Sequence, residues 1–181
     1  NFLINTILIS SALYLFFITL RDFFRKKLQN FAQNLAHFGF SLLILSILFN
    51  NLFSTEIITN LKVGETFENA KAKIIFESIS KNEKKNYSSI VAKFTVQDVE
   101  GKLENLTPEL RIYNQPNIVT SEADIKTTLL SDKFMVINIV QNQEFFNVRY
   151  QVKPFMLWIW ISVILISTGG LISFVKKEYE K

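Results

Sequence analysis

Phe31–Phe53, FAQNLAHFGFSLLILSILFNNLF, contains no Asp, Glu, Lys or Arg and carries the chain's one histidine, His37. About 20 predominantly apolar residues suffice to carry a helix across a bilayer. The run is read as a transmembrane helix rather than a core helix because two others accompany it. Phe2–Leu20, FLINTILISSALYLFFITL, and Phe155–Val175, FMLWIWISVILISTGGLISFV, are also free of charged residues. A chain of 181 residues is too short to cover three such helices with soluble protein. Phe2–Leu20 is too long for the apolar core of a cleavable leader, and it lacks a basic start and a small-residue cleavage site. The chain opens on Asn, not Met, so it is expected to be a fragment or a natural split product of a longer protein.

Charge sets the expected orientation. RDFFRKK (residues 21–27) joins the first two runs and KKEYEK (residues 176–181) follows the third. Together these short segments carry a net charge of +4, which is the formal net charge of the whole chain. The segment from Ser54 to Lys153 is balanced in sign. By the positive-inside rule the basic loop and the C-terminus face the cytoplasm or matrix. The long segment then faces the periplasm or intermembrane space. Trp158 and Trp160 fall where the third span begins on that side, as interfacial anchors should. The basic balance therefore reflects topology and gives no reason to expect a nucleic-acid partner.

The expected organisation is a membrane α-helical protein of three transmembrane helices with an inserted, mostly β domain between the second and third. Residues 1–53 hold two helices and the basic inner loop, 54–153 the outer β-rich domain, and 154–181 the third helix and inner tail. KAKIIFESIS and SSIVAKFTVQD are rich in β-branched and aromatic residues. Glu100–Gly101 supplies a turn. KFMVINIV and FFNVRYQV, around the polar QNQE, predict a hairpin. SEADIKTTLL predicts a turn or two of helix, because Ser121 and Asp124 have capping-box spacing. Pro154 suits a helix start, and Ser162, Gly169 and Ser173 form a small-residue face that suits close helix packing. Glu109 and Arg111, two apart, point the same way on a strand and read as an ion pair. Asp98, Glu100 and Glu104 read as solvated turn residues rather than a calcium site.

The polar residues of the second span are ordered. Asn30, Asn34, His37 and Ser41 step by four, three and four, which places them on one helical face, with Gln33 beside them. A polar stripe in lipid is costly unless it turns toward the bundle or a cofactor. At 1.5 Å per residue His37 lies roughly 10 Å inside the inner edge of its helix. Haem iron commonly takes an axial histidine, so an apolar pocket with one aimed imidazole suits a b-type haem. A histidine hydrogen-bonded across helices is the alternative, and spacing alone does not choose. Without cysteine there is no disulfide, thiolate metal site or covalent haem-attachment motif within the chain. One histidine makes neither a zinc site nor a bis-histidine haem. The two thioethers, Met135 and Met156, fall in an outer strand and at the outer end of span three. A second axial ligand is expected from another segment or chain.

NLAHFGFSLLILSI (residues 34–47) resembles the Leu-Ala-His-x-Gly span opening in the C-terminal part of the CcmF family of cytochrome c haem lyases. LTPELRIYNQPNIVTSEADIKTTLLSDKFMVI resembles the same family's Pro-Glu-x-Arg-x-Tyr segment with its Glu-Ala-x-Ile and Asp-aromatic pattern. VRYQVKPFMLWIWISVILISTGGLIS resembles its Arg, Lys-Pro and Trp-Ile-Trp approach to the last span, with the Gly-Gly. The matches run in order over about residues 31 to 175.

The resemblance implies that His37 is one of two transmembrane axial ligands of a bound haem b. It implies a component that helps join haem, delivered by a haem chaperone, to the cysteines of apocytochrome c. The family's tryptophan-rich outer loop, its two outer histidines and its other transmembrane histidine lie N-terminal to the matching region. A separate N-terminal CcmF-like chain is expected to supply them, as in split mitochondrial versions, so this chain is at most a non-autonomous part of the enzyme. The alternative is a haem-free structural accessory subunit of a larger inner-membrane, respiratory assembly that keeps the fold. The abundance of Phe, Ile, Lys and Asn points to an AT-rich coding genome and hence to the mitochondrial inner membrane, with a bacterial plasma membrane as the alternative.

Overall fold

The computed structural model describes residues 2–25, 31–99, 101–140 and 144–179. It divides into two compact units, one of Asn1–Ser54, Thr128–Ser131 and Lys153–Lys181, the other of Thr55–Thr127 and Asp132–Val152. Lys26, Lys27, Asn30, Glu100, the first three residues of QNQE, Glu180 and Lys181 lie outside the described residues.

The first unit contains α1 (Phe2–Arg25), α2 (Phe31–Phe53) and α3 (Met156–Tyr179). Each has 23 or 24 residues and so extends about 35 Å, enough for a hydrocarbon core of about 30 Å. Among the described residues these three helices are long and apolar enough to cross a membrane. Their hydroxyl side chains bond back to carbonyls one turn earlier: Ser11 to Ile7, Thr19 to Leu15, Ser162 to Trp158 and Thr168 to Ile164. That pairing satisfies polar groups that lipid cannot.

α2 packs against both other helices. Toward α1, the Phe38 ring meets Phe16 and Phe23 at centroid distances of 5.6 and 5.7 Å. Toward α3, two glycines allow the backbones to close. A Cβ at Gly169 would sit 2.7 Å from the Ala32 carbonyl oxygen, and one at Gly39 2.9 Å from the Leu165 Cβ. Of the expected small-residue face, Ser162 and Gly169 are buried and Ser173 is exposed. Pro154 is not a helix residue. It ends a strand, and the chain turns through Phe155 at φ 61° before α3 begins.

The second unit is built from β1 (Thr55–Leu61), β2 (Thr66–Glu68), β3 (Ala72–Glu83), β4 (Tyr87–Asp98), β5 (Leu103–Leu106), β6 (Glu109–Tyr113), β7 (Ile118–Glu122), β8 (Asp124–Thr127), β9 (Ser131–Ile139) and β10 (Phe146–Pro154). One sheet runs β1-β10-β9-β8 and the other β2-β3-β4-β6-β7, with β5 also on β4. Two stretches of β-branched and aromatic residues form the long β3–β4 pair, with one bulge between Phe76 and Ser78. β9 and β10 are the expected hairpin. Inward side chains of both sheets make one core, in which Phe76 stacks on Phe94 at 4.3 Å and Met135, Ile137 and Val148 are fully buried.

The helix expected at SEADIKTTLL is absent. Ser121 instead pairs with Leu110 across β7–β6. The Asp124 carboxylate accepts from the backbone N–H of Thr107 at 2.6 Å, not from a helix start. Partners distant in sequence have outweighed a local capping signal.

Candidate functional site

The polar residues of α2 do not act as one group. The Ser41 hydroxyl lies 2.6 Å from that of Thr19 on α1, and the Asn34 side-chain amide donates to the Asp22 carbonyl at 3.5 Å. Both Asn34 and Ser41 are buried. His37 is exposed. It shares a face with Gln33, Phe40 and Ile47, which follow one another at sevenfold spacing and are exposed too. Neither α1 nor α3 covers this face. Among the described residues His37 makes no hydrogen bond.

The physical basis is a division of labour around one helix. One sector of α2 pairs its hydroxyl and amide with α1. A second, with Ala32, Ala36 and Gly39, is pared down to let α3 approach. The remaining sector presents an imidazole beside Gln33, Phe40 and Ile47. Such a nitrogen can ligate a metal or accept or donate one hydrogen bond. The described residues hold no cluster of three or more His, Cys, Asp or Glu able to hold a metal ion, so His37 stands as a single donor. Met135, one of two candidate thioethers, is fully buried in the β core.

The β domain carries two ion-pair clusters. Arg111 donates from Nη2 to Glu109 at 3.0 Å, lies 3.8 Å from Glu122, and places its guanidinium 5.3 Å from the Tyr87 ring centroid. Burial pushes the Glu109 carboxyl up, but hydrogen bonds from Arg111 and Ser89 and the Arg111 charge hold it below the usual range. The expected ion pair is present as a network.

The second cluster revises an expectation. Asp98 and Glu104 are not solvated turn residues. Lys133 reaches Glu104 at 3.0 Å and Asp98 at 3.4 Å. With side chains only 12% and 16% exposed, Lys133 and Glu104 tie the two sheets together away from bulk water. Burial and the nearby carboxylates of Glu104 and Asp98 push the Tyr150 hydroxyl up. Sequence reasoning passed over Lys133 because a single lysine in an alternating strand reads as solvent-facing. It also passed over Thr19, whose only signal is a hydroxyl in the otherwise apolar FFITL.

Residues 52–154 match the family described as the CcmF C-terminal beta-sandwich. The cytochrome c-type biogenesis protein CcmF of Pseudomonas aeruginosa is 25% identical over 147 residues, 81% of this chain and 22% of that protein. The protein of the same name from Haemophilus influenzae is 26% identical over 164 residues, 91% of this chain and 25% of that protein. The solved structure of a cytochrome c heme lyase CcmF superposes with a TM-score of 0.59 at 18% identity, over 77% of this chain and 23% of that one. The chain thus spans about a quarter of the length of the relatives it matches. With the β-sandwich family matched over more than half of its residues, and helices flanking that domain on both sides, the chain belongs to the CcmF family and corresponds to its C-terminal part.

Proposed function

We propose that this chain is a component of a cytochrome c haem lyase and that His37 supplies one axial ligand to a b-type haem held against the open face of α2. One observation carries the reading: α2 pairs Asn34 and Ser41 with α1 and leaves His37 without a hydrogen bond on an uncovered face that it shares with Phe40 and Ile47. A histidine kept only for a hydrogen bond between these helices would point where Asn34 and Ser41 point. The residues present fit the group. A lone imidazole is a suitable axial donor, and Phe40 and Ile47 on its face suit an apolar macrocycle. Bound there, haem would supply one-electron redox chemistry.

The chain's own part is positional. Thr19 and Ser41 fix α2 against α1, and the glycine contacts fix it against α3, so the rotation of α2 that aims His37 is set from two sides. The second ligand comes from another segment or chain, in this proposal an N-terminal CcmF-like part with the tryptophan-rich loop. The haem chaperone and apocytochrome c are its other partners. Arg21, Arg25 and Lys176 at helix ends support an inner-side loop and tail and an outer β domain. The composition favours the mitochondrial inner membrane over a bacterial plasma membrane.

The reading is tested by depleting the chain in its own cells and staining for covalently attached haem. Loss of haem from c-type cytochromes, with their apoproteins still made, is expected. Unchanged covalent haem together with loss of a respiratory assembly would overturn the proposal and leave a haem-free structural subunit.

A further inference from the structure

The turn Thr128–Ser131 between β8 and β9 belongs with the helices rather than with the sheets that flank it. Its carbonyls at Leu129, Leu130 and Ser131 are paired. Thr128 N–H donates to the Ser131 carbonyl at 2.9 Å, and Ser131 N–H donates to the Thr128 hydroxyl at 3.1 Å. The carbonyl of Leu130 accepts from the backbone N–H of Phe155 at 2.8 Å, and that of Leu129 accepts from the Trp158 indole at 2.8 Å. The Pro154 carbonyl accepts from the Asn50 side chain at 2.6 Å. Leu129 and Leu130 are nevertheless 63% and 62% exposed.

This combination is informative. An exposed turn in water has no need to pair its carbonyls with an indole, and it has no reason to carry two adjacent leucines at its tip. A segment entering the headgroup–acyl boundary gains from paired carbonyls and outward apolar side chains, while headgroups and water there can meet the remaining N–H groups. Residues 128–131 carry no charge, nor do residues 154–175. The turn is hydrogen-bonded to the first turn of α3, a helix able to span a membrane, so it lies where that helix begins. Phe53 at the end of α2 and Trp160 on α3 are also exposed. Indole rings favour this layer.

The geometry points to Leu129 and Leu130 as a membrane anchor: the tip of the β8–β9 turn dips into the bilayer interface beside the start of α3. This goes beyond the haem-lyase reading and does not depend on it.

The chain has no cysteine, so single substitutions can be labelled uniquely. Leu129→Cys and Leu130→Cys, each spin-labelled in the full chain, would be reconstituted in phosphatidylcholine–phosphatidylglycerol vesicles. Collision with oxygen, which partitions into lipid, is compared with collision with a water-soluble nickel chelate. Lys126→Cys serves as the water reference and Ile164→Cys on α3 as the lipid reference. The proposal expects an oxygen-to-nickel ratio at both leucine positions several-fold above that at 126, approaching that at 164. A ratio equal to that at 126 would overturn it, placing the tip in water. Protection from both reagents would also overturn it, showing that protein covers the tip.

Discussion

The hydroxyls of Thr19 and Ser41 stand 2.6 Å apart between α1 and α2. Each also reaches a backbone carbonyl of its own helix, Thr19 that of Leu15 and Ser41 that of Phe38. Two hydroxyl protons thus serve more acceptors than they can satisfy at once, and the contact orients α2 more than it glues it. Ser41→Ala is expected to weaken the α1–α2 association by about 0.6 kcal/mol, the ordinary value for an interhelical hydrogen bond in a membrane. Reversible unfolding in mixed micelles, with Thr19→Ala and the double variant closing a cycle, checks it. Strictly additive single effects would show that the hydroxyls do not interact.

Gly169 and Gly170 are adjacent but unequal. A Cβ at 169 meets the Ala32 carbonyl and the Ala36 nitrogen at 2.7 and 2.8 Å, whereas one at 170 meets nothing within 4 Å. Backbone cannot step aside as a side-chain tip can. Gly169→Ala should cost about 1–3 kcal/mol by forcing α3 away from α2, and Gly170→Ala should stay within about 0.5 kcal/mol of the parent. Thermal unfolding of the two variants in detergent separates them; equal stabilities would contradict the close approach.

Lys133 bridges Glu104 and Asp98 between the two sheets. Lys133→Met keeps the stem and leaves two shielded carboxylates short of a partner, for an expected loss of about 1–3 kcal/mol. Burial pushes the Glu104 carboxyl up, yet hydrogen bonds from Lys102 and Lys133 and their charges outweigh it, so it sits below the usual carboxylate range. A carboxylate depressed in the folded state adds stability above its unfolded value of about 4.3, and that stability is lost as pH falls through the lower folded value. The melting temperature of the parent should therefore fall more steeply than that of Lys133→Met as pH drops from about 5 toward 3. Parallel curves would show that Lys133 does not hold the Glu104 carboxyl down.

Phe76 is fully buried, stacked on Phe94 and edge-on to Phe146, which joins both sheets at one ring. Phe76→Ala should destabilise the chain by about 3–5 kcal/mol, read as loss of the β domain's cooperative unfolding. An unchanged transition would mean that the sheets do not share a core.

The spans were legible because length without charge admits few other readings, and the long strands because β3, β4, β9 and β10 keep their β-branched and aromatic residues in pairs of neighbouring runs. SEADIKTTLL misled because its capping signal is local, while Asp124 finds its donor at Thr107 and Ser121 its register on β6. The stripe of Asn34, His37 and Ser41 was correct as a periodicity. Its division was not legible, since only the placement of α1 and α3 decides which part of a sector is covered. For the same reason Ser173 drops out of a small-residue face that Ser162 and Gly169 keep. Lys133 was hidden because alternation gives a lysine's strand position but not the carboxylates that another sheet brings to it.

Ligation of haem by His37 is read in the reduced-minus-oxidised optical spectrum of the gently solubilised native assembly. Wild type and His37→Ala would be compared after separation from the respiratory cytochromes. His37 is exposed, so its replacement should leave the assembly intact. Ligation by His37 predicts a b-type signal in the wild type that is lost in His37→Ala while the chain still co-purifies with its partners. A signal of equal size in both, or none in the wild type, would contradict it.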